Sequence, residues 1–531
     1  MSRFNISLYV AFKFLLIATT TINAAHTSLP EKPNFIFVMT DDQGYAPIGA
    51  HGHPWIRTPN LDRMHGDSIR FDRFMVGSTC APSRAGLMAG DYSIRNGVTH
   101  TIYERERLRL EAITLPEILK KAGYLNGYFG KWHLGDEDPY QPENRGFDES
   151  FIHGAGGIGQ KFPGSCADVP GNTYFDPVFR HNGKFVKTKG YCTDVLFKAT
   201  LGWIKSVKDK KQPFFAYLSP NAPHSPFIAP PEYQKYYEDL GFGSKPAGFY
   251  GMIEHIDMNI GVLMDKLEEW KLLESTVVIF TSDNGMTRGG SGLIGFEGQP
   301  QVELGRKQDG SVMMSYNAGM KGLKGTAHEG GVRVPFFVKW KGQINRGETR
   351  EQVASYLDVL PTLADLAGSP IPLRQKFKGR SLVPLLFDAN SEWEERYLFE
   401  HVTRWPHKAN PDDYKWQKYS VRSHRFRLVE DALYDMKNDP GQNKDVSTQF
   451  PEIAKRMKDA YEKFWNEARP LMVNEDVPLA ELRPYHFNYF KQEKAEGIPL
   501  WQEPVITMPS SYVPTTYPEK LPEKKKRRLR K

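Results

Sequence analysis

Short apolar runs alternate with stretches of helical period through the first two-thirds of the chain. Asn34–Met39 (NFIFVM) is apolar almost throughout, which predicts a strand buried on both faces, and it ends at Asp41-Asp42. Thr114–Ala122 predicts a helix, and Leu125–Phe129 a short strand that runs out at Lys131-Trp132-His133. Phe214–Leu218 predicts another strand, ending at Asn221–His224. Met252–Trp270 sets Ile253, Ile256, Ile260, Leu263 and Leu267 at helical spacing, and Thr276–Phe280 (TVVIF) then ends at Asp283-Asn284. Val334–Trp340 adds a strand and Ser355–Leu366 a helix. This alternation predicts an α/β fold with a largely parallel sheet covered by helices on both faces. Polar residues fall repeatedly just past the C-terminal ends of the strands, where open α/β sheets bind ligands. One active site assembled from distant segments is expected.

After about residue 385 the pattern changes. Arg396–Glu400, Tyr419–Ser423 and Phe426–Glu430 read as short strands joined by turns, which predicts a small antiparallel sheet beside the main domain. The last sixty residues are rich in Pro, Tyr and Glu and show no clear period. They read as a wrapping extension whose final dozen residues are disordered. At the other end, Arg3 and Lys13 precede an apolar run from Phe14 to Ile22, and Asn23-Ala24-Ala25 offers small residues for cleavage. This is the pattern of a signal peptide, so a periplasmic or secreted location is expected. The run is too short to span a bilayer, and no other stretch approaches the ~20 apolar residues of a transmembrane helix. The expected organisation is a leader over 1–25, a catalytic domain over 26–385, a small α+β subdomain over 386–470 and an extension over 471–531.

Composition changes this picture little, since 40% hydrophobic and 25% charged residues are globular values. The net charge of +7 suggests an acidic partner until it is located. Seven positive charges sit in residues 524–531 (KKKRRLRK), so the remainder is neutral. The basic tail is therefore a local, solvated terminus and not a field over the protein, and no nucleic-acid partner is expected.

The chemistry is carried by a few segments. Cys80-Ala81-Pro82-Ser83-Arg84, continuing through Leu87 to Gly90, resembles the signature of type I sulfatases, in which such a cysteine is oxidised to formylglycine before folding. The resemblance implies a maturation enzyme as partner and an alkaline-phosphatase-like fold, with a large mixed, mostly parallel sheet sandwiched by helices and a smaller C-terminal domain on an antiparallel sheet. A thiol is a poor group for attacking sulfate, because the resulting intermediate has no easy exit. An aldehyde hydrate attacks through one hydroxyl, and the second later expels sulfate by re-forming C=O. Asp41-Asp42 and Asp283-Asn284, in DDQG and SDNG contexts, resemble the family's metal site, with position 80 beside them. Three carboxylates and an amide carbonyl suit a hard divalent cation, calcium first and magnesium second.

Gly130-Lys131-Trp132-His133-Leu134-Gly135 matches a further family segment. It implies that His133 helps deprotonate the hydrate and that Lys131 contacts it and the sulfate. His224, between Pro223 and Pro226, is similar to the histidine beside the leaving-group oxygen, where an imidazole can act as general acid. Lys324, in Gly322-Leu323-Lys324-Gly325-Thr326, is implied to bind a sulfate oxygen, and Arg84 to hold the formylglycine and nearby carboxylates. Thr58–Asp62, His328–Pro335 and Leu433–Pro440 look like recurring sulfatase segments without adding chemistry. A structural role is expected for His328 and Arg333.

With Cys80 consumed, Cys166 and Cys192 are left as either a disulfide across the Gly/Pro-rich stretch from Ala155 to Gly190 or two unrelated buried thiols. The function expected is hydrolysis of sulfate esters on a sulfated carbohydrate. An algal polysaccharide such as ulvan or carrageenan is the first expectation by family habit, with host glycosaminoglycans and small aryl or choline sulfates left open. Two alternatives stand beside it: a phosphonate or phosphate ester hydrolase of the same superfamily, and an inactive relative that binds sulfated glycans. Tyr174, Phe175, Arg180, His181, Lys184, Arg404, Trp405, His407 and Trp416 are candidates for sugar platforms and anion contacts.

Overall fold

The computed structural model describes residues 32–288, 303–307, 309–372 and 377–517, so the leader and the basic run at 524–531 lie outside the described residues. A ten-stranded sheet organises the chain. Its strands are β1 (Asn34–Thr40), β2 (Ile69–Phe71), β3 (Leu125–Lys131), β4 (Glu149–His153), β5 (Val178–His181), β6 (Lys184–Lys187), β7 (Phe214–Ser219), β8 (Thr276–Ser282), β9 (Phe336–Lys339) and β10 (Thr349–Arg350). They lie in the order β10-β2-β9-β8-β1-β7-β3-β4-β5-β6. The central five, β8-β1-β7-β3-β4, pair in parallel, while β9 runs antiparallel to both its neighbours and β5 and β6 add antiparallel strands at the far edge. The sheet is mixed and parallel at its centre, as the family resemblance implies.

Both faces of the sheet are buried, which accounts for the unbroken apolar runs. Along β1, Phe35, Phe37 and Met39 enter one core and Ile36 and Val38 enter the other. The first core is closed by the helices α2 (Cys80–Ala89), α3 (Leu115–Lys121) and α6 (Val359–Leu366). The second is closed by α1 (Pro59–Asp67), α4 (Cys192–Val207) and α5 (Ser244–Glu269). Because the central strands are parallel, the residues after β1, β3, β7 and β8 emerge on one edge of the sheet. The register sets Thr40 beside Ser282 and Gly130 beside Ser219.

A four-stranded antiparallel sheet comes next, built from Leu398–His401, Tyr419–Arg422, Phe426–Val429 and Ala432–Asp435. Helix α7 (Pro451–Ala468) packs on it through Tyr461 stacked on Tyr419 (centroids 4.0 Å apart) and Phe464 on Phe399 (4.5 Å). A buried ion pair joins this sheet to the main domain: Arg427 donates to Glu329 at 2.7 Å and to the Ala327 carbonyl at 3.0 Å. Beyond it, residues 471–517 form α8 (Pro484–Ala495) and an extended run over the α4–α5 face. There Trp501 meets Phe151 with ring centroids 4.9 Å apart, Ser511 donates to Asp265 at 2.6 Å and Thr515 to Asp194 at 2.7 Å.

No disulfide joins Cys166 and Cys192, so the bridged reading is corrected: both are free and buried. Their surroundings differ. Cys192 opens α4 in the second core, whereas Cys166 lies among the carboxylates of Glu106, Asp136 and Glu104. Burial pushes both thiols well above their ordinary value, which leaves them unreactive. Denatured without reductant, the protein is expected to alkylate fully at both positions, and reductant should leave its melting temperature where it was. A mass-mapped Cys166–Cys192 cross-link would contradict this.

Candidate active site

The four strand ends deliver the residues of the site. Thr40 closes β1, and Asp41 and Asp42 come directly after it, with Asp42 in the left-handed region (φ 67°). The next segments bring Lys131 as the last residue of β3, His224 after β7, and Asp283 and Asn284 after β8. Cys80 is the first residue of α2, whose free amides favour negative charge at its N-terminus. Ser83 fixes that turn by donating to the carbonyls of Gly77 (3.0 Å) and Thr79 (3.1 Å). Lys324 comes from the loop before β9 and is held by a backbone bond from its own amide to the Met286 carbonyl (3.1 Å).

Arg84, one turn along α2 from Cys80, binds these ends together. Its Nε and Nη2 donate to Asp283 Oδ2 (3.1 and 2.7 Å), and its Nη1 donates to the Lys131 carbonyl (2.9 Å) and Ser219 Oγ (2.6 Å). Lys131 Nζ donates to Asp41 Oδ2 (2.7 Å), and Lys324 Nζ reaches Asp42 Oδ1 (2.6 Å). Asn284 Nδ2 donates to Asp42 Oδ1 (2.9 Å), and the Asp42 amide donates to Asp283 Oδ1 (3.1 Å). The catalytic and metal-binding residues expected from the sequence fall in this one cluster. Asp41, Cys80 and Asp283 offer ligand atoms within 4.8 Å of one another, and so do Asp41, Asp42 and His224.

Two buried oxygens in the cluster, Asp41 Oδ1 and Asn284 Oδ1, find no hydrogen-bond partner among the described residues. An unpaired buried acceptor is costly, and a hard cation is the natural partner for several such oxygens, so the donor set fits calcium or magnesium. Charge is finely divided here. Burial raises Asp41 well above the carboxylate range, with Lys131 opposing and Asp283 and Asp42 adding to the rise. For Asp42 burial is outweighed by Lys324, His224 and Lys131, which hold it low. Burial pushes the Cys80 thiol up, but Lys131 and Lys324 overcome it and leave it below its ordinary value.

The two histidines are fixed differently. His133 sits at φ 60°, and its Nε2 is 2.9 Å from the Thr101 carbonyl. A carbonyl only accepts, so Nε2 carries the hydrogen and Nδ1, buried and unpaired among the described residues, is left as a base. Burial and Lys131 hold this ring well below its ordinary value. His224 Nδ1 lies 2.8 Å from the Ser225 carbonyl, which leaves Nε2 toward Asp42 at 3.8 Å. Burial lowers it to about 4 against the opposing charge of Asp42, with Lys324 and Lys131 adding to the fall.

The structure also supplies residues that no motif pointed to. Ser219 and Thr101 hold Arg84 and His133. Gly156 makes room for the His133 ring, since a Cβ there would lie 2.5 Å from it. Gly130, at φ 114°, lets β3 pass β7, because a Cβ would fall 1.9 Å from the Ser219 carbonyl oxygen. Tyr174 donates to the His224 carbonyl (2.6 Å) and is paired with the Asn221 amide, so this candidate sugar platform is a buried brace of the histidine loop. Phe175 and Trp405 are buried as well. Arg180, His181 and Lys184 pair with Glu143, Glu149 and Glu496, and Trp416 lies against Lys415 and Lys458. Arg333 is structural, pairing with Asp72 (2.8 Å) over the Tyr45 ring.

Replacing Tyr174 by Phe removes a hydroxyl that a buried carbonyl and a buried amide both use. It is expected to destabilise the protein by about 1–3 kcal/mol in denaturant melts. A Tyr174→Phe protein as stable as the parent would show that the brace contributes nothing.

Comparison with known proteins agrees with this geometry. The sulfatase family profile matches residues 33–369, and that of the N-sulphoglucosamine sulphohydrolase C-terminal region matches residues 323–467. N-acetylgalactosamine-6-sulfatase of Canis lupus familiaris is 31% identical over 388 residues, covering 70% of this chain and 69% of that protein. Arylsulfatase A of Homo sapiens is 30% identical over 489 residues, 82% of this chain and 88% of that one. The crystal structure of Ps i-CgsB in complex with k-i-k-neocarrahexaose matches with a TM-score of 0.69 and 25% identity, over 88% of this chain and 98% of that chain. The chain belongs to the sulfatase family of sulfuric-ester hydrolases.

Proposed function

We propose that the protein is an exported sulfatase acting on a sulfated carbohydrate, with a formylglycine formed from Cys80 as nucleophile and one calcium ion held by Asp41, Asp42, Asp283 and Asn284. The observation that carries this reading is the convergence of Cys80 with two lysines and with buried oxygens that lack partners among the described residues, all on one edge of the sheet. The carbohydrate is suggested by the names of the relatives, an N-acetylgalactosamine-6-sulfatase and a complex with k-i-k-neocarrahexaose. Export rests on the leader. Among the described residues no helix is long and apolar enough to cross a membrane. A formylglycine-generating enzyme is the maturation partner the chemistry requires.

Held by Asp41, Asp42, Asp283 and Asn284, a cation would supply positive charge against the sulfate oxygens and would help orient the group at position 80. Lys131 and Lys324 add two fixed ammonium groups beside that position, so an anionic ester is drawn in and its developing charge is stabilised without reorganisation. His133 Nδ1 takes the proton that the nucleophile gives up. His224 gives a proton to the leaving oxygen from Nε2, and the charge of the bound sulfate, set against Lys324 and Lys131, raises the affinity of the ring for that proton. Arg84 acts as a positioning residue. It fixes Asp283 and the Lys131 backbone relative to α2.

The test is turnover of 4-nitrophenyl sulfate and of sulfated oligosaccharides by protein made with a formylglycine-generating enzyme. Cys80→Ala is expected to lose about a thousandfold or more, as when a covalent nucleophile is removed. Mass spectrometry of the Cys80 peptide should show conversion of thiol to aldehyde. Exhaustive chelation should abolish turnover, with calcium restoring it better than magnesium. Activity that survives chelation, or an intact thiol in a protein with full turnover, would overturn the reading.

A further inference from the structure

We infer that the C-terminal extension delivers the basic run at 524–531 to the active-site edge of the sheet, where it holds a polysulfated saccharide chain while one of its sulfates is cleaved. The inference rests on the sulfatase reading and extends it to the length and charge of the substrate.

The course of the extension carries it. Helix α4 turns through residues 208–213 directly into β7, so the helix runs opposite to that strand. The first turn of α4 therefore lies at the edge where β7 ends, the edge that bears His224 and the other strand-end residues. The extension climbs α4 toward that edge. Its Val505 carbonyl accepts from Lys205 in the last turn of α4 (3.1 Å), Tyr512 lies under the Lys198 ammonium (6.0 Å), and Thr515 donates to Asp194 in the first turn (2.7 Å). Thr516 then donates to Glu232 (2.7 Å). The Tyr517 hydroxyl donates to Asp176 (2.6 Å) while accepting from the Gly190 amide (2.8 Å). The Tyr517 ring meets Phe175 at 5.5 Å between centroids, and Tyr174, the residue before Phe175, is the brace of the His224 loop.

The described chain thus ends beside the histidine loop, and the basic run begins seven residues later. Residues 518–531 hold eight Lys or Arg and two Glu. Fully extended, such a length spans at most ~46–50 Å, more than the ~30 Å diameter of a small domain, so the site lies within its reach. The carboxylates at the exit are engaged already. Asp194 is taken by Thr515 and His255 (2.9 Å), Glu232 by Thr516, and Asp176 by Tyr517 and Lys189 (3.6 Å). A sulfate-ester site takes one anion of a polysulfated chain, and cations tethered to the same edge meet its other sulfates at high effective concentration. Leu521 and Leu529 are the only large apolar residues of 518–531, too few for burial in a lipid surface.

The experiment compares the matured parent with two variants, one ending at Tyr517 and one with the seven Lys and Arg of 524–531 changed to Gln. Turnover of 4-nitrophenyl sulfate is expected to be alike in all three. Binding to carrageenan or to heparin should be at least about tenfold weaker in both variants, and added salt should close the gap. A disulfated disaccharide, too short to span site and tail, should inhibit 4-nitrophenyl sulfate turnover equally in all three. A gap with one polysaccharide alone supports the inference and identifies the sulfation pattern it fits. Equal binding of the three proteins to both polysaccharides overturns it. So does a gap seen only with phosphatidylserine vesicles, which would make the tail a lipid contact, and so does an equal loss with the disaccharide. A matured parent that fails to turn over 4-nitrophenyl sulfate fails the sulfatase reading, whereas polysaccharide binding reports on the tail in either case.

Discussion

The buried pair between Arg84 and Asp283 is the interaction on which the site depends. It joins the helix that carries Cys80 to the end of a central strand, with both partners essentially removed from water. Removing one partner of such a pair strands the other charge, a cost of about 3–5 kcal/mol. The remaining arginine nitrogen reaches β3 and β7. A single guanidinium therefore fixes three strand ends relative to Cys80, which a hydrophobic contact, lacking direction, could not do. The parallel sheet brings the ends to one edge, and the arginine sets their spacing.

Around that anchor, charge is balanced in pairs that also serve the chemistry. Lys131 lies on Asp41 and Lys324 on Asp42, so each ammonium is held in place by a carboxylate. The orphaned oxygens of Asp41 and Asn284 leave the acidic side of the cluster open to a cation, and the lowered Cys80 shows that the basic side still favours an anion there. Preorganisation of both signs in one buried cluster is how a site lowers a barrier without moving.

The central strands and their polar ends are legible in the sequence because strands buried on both faces cannot hide polar residues. NFIFVM and TVVIF stand out as unbroken apolar runs, and the Asp and Asn residues at their C-terminal ends are conspicuous by contrast. The direction of β9 is not legible, since an apolar run reads alike either way. Nor is α8, where Phe487 and Phe490 face solvent and the apolar period fails. Of the site, the motif residues can be read, whereas Ser219, Thr101 and the brace at Tyr174 cannot. Their work is done by one hydroxyl or one carbonyl across a long stretch of chain, and such contacts leave no periodic trace. Two cysteines in a chain expected to be exported suggest a bridge, but their surroundings in the fold, one in an apolar core and one among carboxylates, are unrelated.

The clamp made by Glu475 has a consequence for time. Thr99, Arg105 and Trp405 are all held by this one carboxylate, which lies late in the chain. The wall of the site nearest His133 is therefore completed only once Glu475 has been made, long after Cys80. Cys80 is buried in the folded chain, so a modifying enzyme has to reach it before the fold closes. An anchor made so long after Cys80 gives that cysteine time in an open chain, ahead of the modification that the proposed chemistry requires.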